Sequence, residues 1–220
     1  MKPPEKNVAA RRKTGRPLSF DREAALEQAM LTFWRYGYET TSIVDLTNAM
    51  GVTAPSLYAA FGDKKRLFLE AARLYAGDPE VMAQAFDRAD TALDATRAML
   101  ISAATAFTGE ATPRGCLLAS ATASGSSASA DVQKVIADIR TSVADQLRIR
   151  IVRDVDAGTL PSATDAKALA GMMIAVIQGM SVLARDGTDR PDLLSIAESA
   201  LKAWPMRSPN DGADRSKARP

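Results

Sequence analysis

The sequence predicts an all-α chain with a small helical head and a larger helical body. Three observations predict it. Apolar residues recur at three- and four-residue spacing through most of the chain, the period of a helix with one buried face. Ala and Leu dominate over β-branched residues, and an apolar content of 46% is enough for a real core. Glycine or proline stands where the apolar runs stop.

Residues 1–18 hold six cations (Lys2, Lys6, Arg11, Arg12, Lys13 and Arg16), three prolines and little to bury, which predicts a disordered basic arm. A first helix is expected from Asp21 to Arg35, burying Ala25, Ala29, Met30 and Phe33 and ending at Gly37. Ile43, Leu46 and Met50 mark a second helix. Gly51 stops it, because a residue without Cβ sits cheaply in the left-handed position after a helix. Thr53 can cap a short third helix whose buried face is only Leu57 and Phe61. Such a helix cannot stand alone; a neighbour must hold it out, which is the geometry that places a helix in a major groove. Asp63 caps a fourth, with Leu67, Phe68, Ala71, Ala72 and Tyr75 on one side. The head therefore spans residues 19–76, and Gly77-Asp78-Pro79 is the expected junction.

The body is expected over 79–205. Ala92–Phe107 carries Leu93, Thr96, Leu100, Ala103 and Phe107 at helical spacing. Residues 109–130, rich in Gly, Ser and Ala, predict a loop with at most one short helix at Cys116-Leu117-Leu118. Asp131–Asp156 is a long amphipathic helix closed by Gly158. Ala163–Arg185 has almost no polar face, so its burial calls for a second protomer. Pro191 opens a last helix through Leu193, Leu194, Ala197, Leu201 and Trp204, ended by Pro205, and residues 206–220 read as a disordered tail.

Composition excludes several functions. The chain has no histidine, which removes the commonest general base and His-based zinc sites, and no nucleophile–base pair stands out, so an enzyme is not expected. Neither a cofactor nor a metal is implied. One cysteine forms no disulfide within a chain and fits a cytoplasmic location. No signal peptide is recognisable at the N-terminus, and no charge-free run is expected to reach the ~20 apolar residues of a membrane span, so a membrane partner is not expected. Residues 1–76 hold 12 Lys/Arg against 8 Asp/Glu, whereas the rest holds 16 against 18. Basic charge thus collects at the end of the chain that carries the helix–turn–helix, as phosphate binding by counterion release requires.

Thr41, Ile43, Asp45-Leu46, Ala49-x-Gly51-Val52-Thr53, Leu57-Tyr58, Phe61, Lys64 and Leu67 together resemble the TetR family of bacterial transcriptional regulators over roughly residues 19–76. The resemblance implies a homodimer with one DNA-binding head per protomer on a palindromic double-stranded operator. It also implies that the body is a ligand-binding and dimerisation domain for a small-molecule effector. Thr41 and Lys64 fall where the family touches phosphate. Lys65 departs from a position that is often acidic, and Ala59 from one that often carries a polar ring.

The residues add their own argument. Lys64, Lys65 and Arg66 crowd the first turn of the fourth helix, where the helix dipole disfavours cations by ~0.3–1 kcal/mol each unless a phosphate binds there. Thr41 could cap the second helix as well as touch phosphate. The third helix reads Thr53-Ala54-Pro55-Ser56-Leu57-Tyr58-Ala59-Ala60, without Arg, Lys, Asn or Gln for bidentate base contacts. Thr53, Ser56 and Tyr58 supply hydroxyls, Ala54 and Ala59 supply methyls for thymine, and Pro55 is tolerated in the first turn. In the arm, Gly15-Arg16-Pro17 is similar to the core of an AT hook, so Arg16 is expected in a minor groove; a solubilising tail is the alternative.

For the effector, Met99, Phe107, Cys116, Met173, Ile177 and Met180 are the candidate lining, with plain core as the competing role for the methionines. Cys116 follows Arg114-Gly115 and is either a redox-sensing thiol or packing. The expected function is a sequence-specific DNA-binding regulator, a repressor released by a small molecule; an activator of the same fold and an architectural DNA-binding protein are the alternatives.

Overall fold

The computed structural model describes residues 20–120 and 130–206, and contains helices and no strand among them. Ten helices follow in order: α1 Arg22–Tyr36, α2 Ile43–Met50, α3 Ala54–Phe61, α4 Lys64–Ala76, α5 Pro79–Arg88, α6 Ala92–Phe107, α7 Leu117–Ser120, α8 Ala130–Asp156, α9 Ala166–Arg185 and α10 Arg190–Leu201. The arm and most of the tail, including Arg16, lie outside the described residues.

Local sequence sets the head's elements. Asp21, Thr53 and Asp63 cap α1, α3 and α4 through their side chains. Gly51 closes α2 in the left-handed conformation at φ +65°. Phe33 of α1 meets Phe68 of α4 edge-on at 5.0 Å between ring centroids, and Leu46, Leu57, Phe61 and Leu67 complete the buried centre. The short α3 thus lies with Leu57 and Phe61 inward and the rest of its surface outward.

The body contains one helix more than the periodicity predicts. α5 begins at Pro79, but it buries only Phe86, and a helix with one buried side chain leaves little apolar pattern to read. α9 begins at Ala166, three residues later than expected, because Asp165 caps it. α10 ends at Leu201, so Trp204 is not part of the helix; it tucks into the core beyond it. The expected short helix after Cys116 is α7.

α6, α8, α9 and α10 form the bundle. Its base is fastened by Arg150 and Asp154, both buried and ion-paired on one face of α8. The Arg150 guanidinium also donates to the carbonyl oxygens of Phe86, Ala89 and Asp90, and Asp154 accepts from the N–H of Ala92 at 2.6 Å. Every polar group of this clasp that the α5–α6 turn would otherwise bury unpaired is satisfied.

α9 corrects one expectation. With 20 residues and a mean hydropathy of 1.6 it is, by length and composition alone, long and apolar enough to cross a membrane, contrary to the sequence reading. Here Leu169, Met173, Met180 and Ala184 are buried in the bundle instead. Within the single chain Met172, Val182 and Leu183 remain on an outward face, with Val182 55% exposed.

Candidate nucleic-acid interface and effector cavity

The first helix of the helix–turn–helix, α2, does not carry the cap that the sequence suggested. Thr41 is 1% exposed and its hydroxyl donates to the carbonyl oxygen of Gly37 at 2.6 Å. Ser42 caps α2 instead, in a reciprocal box: its Oγ accepts the Asp45 N–H, and the Asp45 carboxylate accepts the Ser42 N–H. The Ser42 hydroxyl also donates to that carboxylate at 2.6 Å, and this bond, with the one from the Ser42 N–H, holds the Asp45 carboxyl below its usual range. Ser42 is exposed, so at this helix terminus it is the outward hydroxyl and Thr41 the inward one. Capping-box spacing, Ser-x-x-Asp in place of the usual Glu, was the available signal.

On α3 the Oγ atoms of Thr53 and Ser56 lie 2.9 Å apart and are exposed to different degrees, Thr53 more than Ser56. Pro55 and Ala59 are exposed, Ala54 is half-buried, and the Tyr58 ring is 48% exposed. The outer surface of α3 is therefore hydroxyls, methyls and one phenol ring. It offers thymine methyl contacts and single hydrogen bonds but no bidentate fork.

The three cations that open α4 have separate fates. Lys64 is half-buried, with its Nζ 4.8 Å from the centroid of the Tyr38 ring and donating to the carbonyl oxygen of Glu39 at 3.2 Å. Burial lowers its pKa from the ordinary lysine value, with Glu39 and Asp45 opposing, and burial also raises that of Tyr38. Lys65 forms an ion pair with Asp131 at the start of α8, a contact between head and body that the sequence did not reveal. Arg66 folds back over Gly62, where a Cβ would stand 3.0 Å from its Cδ and Nη1. Three cations that look alike in sequence thus face a ring, a carboxylate and a glycine.

Between head and body lies a cavity of about 350 Å³. Trp34 of α1 and Tyr75 of α4 line it from the head side, in edge-to-face contact at 4.8 Å. Met99, Phe107, Cys116 and Ile177 line it from the body, with Gln178 and Arg140 among the polar groups. Four of the six residues expected around an effector are thus brought together. Met173 and Met180 are not among them: both are fully buried core, because successive turns of α9 point them into the bundle rather than toward α1. Trp34 and Tyr75 were missed, since nothing in their spacing distinguishes core from cavity wall.

Cys116 is buried, its N–H donates to Ser181 Oγ at 2.8 Å, and it lines the same cavity as Tyr75. Burial and the Cys116 thiol push the Tyr75 hydroxyl well above the usual tyrosine range. The Arg114 guanidinium donates to the Thr188 carbonyl oxygen at 2.6 Å. A second cavity of about 410 Å³ adjoins the first and shares Ala76, Met82, Ile139 and Val143 with it.

The likenesses to known proteins run the length of this arrangement. Residues 25–71 match the profile of bacterial regulatory proteins of the tetR family, and residues 92–197 match a Tetracyclin repressor-like C-terminal domain. The HTH-type transcriptional repressor ComR of Escherichia coli (strain K12) is 35% identical over 195 residues, 87% of this chain and 92% of that protein. The HTH-type transcriptional repressor BdcR of the same organism is 40% identical, but over only 29% of this chain and 32% of its own. Among solved structures, a cysteine mutant of the TetR family regulator CifR, complexed with 26-bp double-strand operator DNA, is 38% identical with a TM-score of 0.82; the match covers 87% of this chain and all of that one. The reduced form of E. coli NemR, at 18% identity and a TM-score of 0.71, shares the fold. A helix–turn–helix head, a helical body and a relative matched over nine-tenths of its length lead to one conclusion: this chain is a DNA-binding transcriptional regulator and belongs to the TetR family.

Proposed function

We propose that the protein is a repressor that binds a palindromic operator as a homodimer and leaves it when a small, largely apolar molecule fills the cavity between head and body. The observation that carries the reading is the cavity wall: Trp34 and Tyr75 belong to helices of the head, whereas Met99, Phe107, Cys116 and Ile177 belong to the body. An occupant touches both, so it has differential contact with two arrangements of the head, which is what coupling to DNA requires. The dimer is supported by the outward apolar face of Met172, Val182 and Leu183 on α9. DNA contact falls to Thr53, Ala54, Pro55, Ser56, Tyr58 and Ala59 on α3, to Lys64, and to Lys65 once it leaves Asp131; Thr41 contributes through its backbone only. The head is assigned to 19–76 and the body to 79–205. The cytoplasm is the expected location.

Filling the cavity tests this. Ile177→Trp should leave operator binding within about twofold while abolishing release by apolar compounds found through a thermal-shift screen of the wild type. Release that persists in Ile177→Trp would place the effector elsewhere.

A further inference from the structure

An open recess of about 340 Å³ lies where α1, the loop before α7 and the end of α9 meet, lined by Trp34, Arg35, Pro113, Arg114 and Arg185. Three of its five residues are arginines and none is acidic. We propose that Arg35, Arg114 and Arg185 form a binding site for a small oxyanion, a phosphate or carboxylate group, which fastens α1 of the head to the body. The site shares only Trp34 with the effector cavity, and its arginines stand or fall independently of that reading.

Two of the guanidinium groups are already set in place. Arg114 donates one N–H to the Thr188 carbonyl oxygen at 2.6 Å, and Arg185 one to the Trp34 carbonyl oxygen at 3.0 Å. Arg185 is held further by Gly115, whose φ is +79° and where a Cβ would stand 2.8 Å from Arg185 Cγ and Nε. Only glycine permits that approach. A guanidinium has five N–H donors in a planar fork, so each keeps donors in hand after these single bonds, in the geometry that matches an oxyanion. The side chain of Arg35 makes no hydrogen bond or ion pair among the described residues.

Charge counting points the same way. Arg35 and Arg185 each stand in the last turn of a helix, where a cation is individually favoured. Each helix end contributes roughly half a negative charge, so two of them offset about one of the three positive charges. A surplus of roughly two remains around one recess. Helix ends explain each of those two arginines alone; they do not explain why Arg114 converges on them, since like charges repel. An anion does, and because Trp34 and Arg35 come from the head while Arg114 and Arg185 come from the body, it bridges the two.

The test uses the full chain, titrated with sodium phosphate against sodium chloride at equal ionic strength. Tryptophan fluorescence reports the site, because Trp34 lines it and the one other tryptophan is Trp204 in the body. Saturable change is expected, with a midpoint weakened at least about tenfold by Arg35→Gln and by Arg114→Gln and unmoved by Arg88→Gln on α5. Sodium acetate in a parallel titration separates carboxylate from phosphate; saturation by either supports the site. Arg35 is exposed and unpartnered, so its variant keeps the wild-type circular dichroism. A response that rises linearly without saturating, or a midpoint indifferent to Arg35→Gln, overturns the proposal. So does a salt slope of operator binding made shallower by about one in Arg35→Gln, which would assign the cluster to DNA phosphate.

Discussion

The indole Nε1 of Trp34 donates to the carbonyl oxygen of Gly115 at 3.2 Å, joining α1 of the head to the body across 81 positions of sequence. The backbone oxygen of the same Trp34 accepts from Arg185, which itself lies against Gly115. Trp34, Gly115 and Arg185 therefore close a ring of contacts between head and body, with the cavity between them on one side and the arginine recess on the other.

Gly115→Ala tests how much rests on that ring. A Cβ there would meet Arg185 and the Ser181 carbonyl oxygen at 2.8 Å, on a backbone at φ +79°. The expected cost is ~1–3 kcal/mol of unfolding free energy in urea. A variant as stable as the wild type would show that Arg185 swings away freely and that the ring is loose.

Lys64→Ala should weaken binding to operator and to random DNA alike, with a log–log salt slope shallower by about one. It should also lose ~0.5–1 kcal/mol of stability with the Tyr38 ring contact. Electrophoretic mobility shifts at several salt concentrations measure the first. An unchanged slope removes Lys64 from the phosphate contacts.

Asp131→Asn frees Lys65. Operator binding should tighten roughly two- to fivefold, the range of a competing surface ion pair, with a steeper salt slope. The pair also has a defined pH window. Lys65 holds the Asp131 carboxyl below its ordinary value of 3.8, so its contribution is present above that value and lost as pH falls through the folded-state pKa. The Lys65 pKa is raised above 10.5 by the same bond, so that contribution is present below this value and lost as pH rises through the folded-state pKa. The effect of Asp131→Asn should therefore be constant around neutrality. Equal binding by wild type, Asp131→Asn and Lys65→Ala would mean that Lys65 never meets DNA.

Ser42 should take the capping role that the sequence suggests for Thr41. Ser42→Ala removes the cap of α2 and should cost ~1 kcal/mol of stability. Thr41→Val keeps the shape, loses the bond to Gly37 and should cost ~0.5–1.5 kcal/mol, while DNA affinity of the folded protein changes less than about twofold. A tenfold loss of affinity with unchanged stability would return the Thr41 hydroxyl to the phosphate backbone.

Val182→Asp puts a carboxylate on the outward face of α9. Light scattering should find monomers, and tight operator binding should disappear with the second half-site. Soluble dimers of wild-type stability would move the interface to another face.

The helix–turn–helix was legible because its signals are local. Gly51 must adopt φ > 0, Thr53 and Asp63 cap the next helices, and Leu57 and Phe61 mark the only face α3 can bury. Each is settled by a few neighbouring residues. α5 escaped the same reading because one buried Phe86 makes no periodic pattern.

What each side chain does in the site was decided by tertiary structure. Thr41 and Ser42 are adjacent and both can cap, yet the approach of α1's end at Gly37 turns one inward and leaves the other to do it. Lys64 and Lys65 are chemically identical, yet one meets a ring and the other a carboxylate 66 positions away. Met173 and Ile177 share α9 at four-residue spacing, yet only Ile177 reaches a cavity wall. Sequence by itself determined most of the helices, the caps at Asp21, Thr53 and Asp63 and the stop at Gly51, because backbone preference and periodicity act over a few residues. Packing of distant helices alone decided which polar groups were satisfied internally and which were left to meet DNA or a ligand.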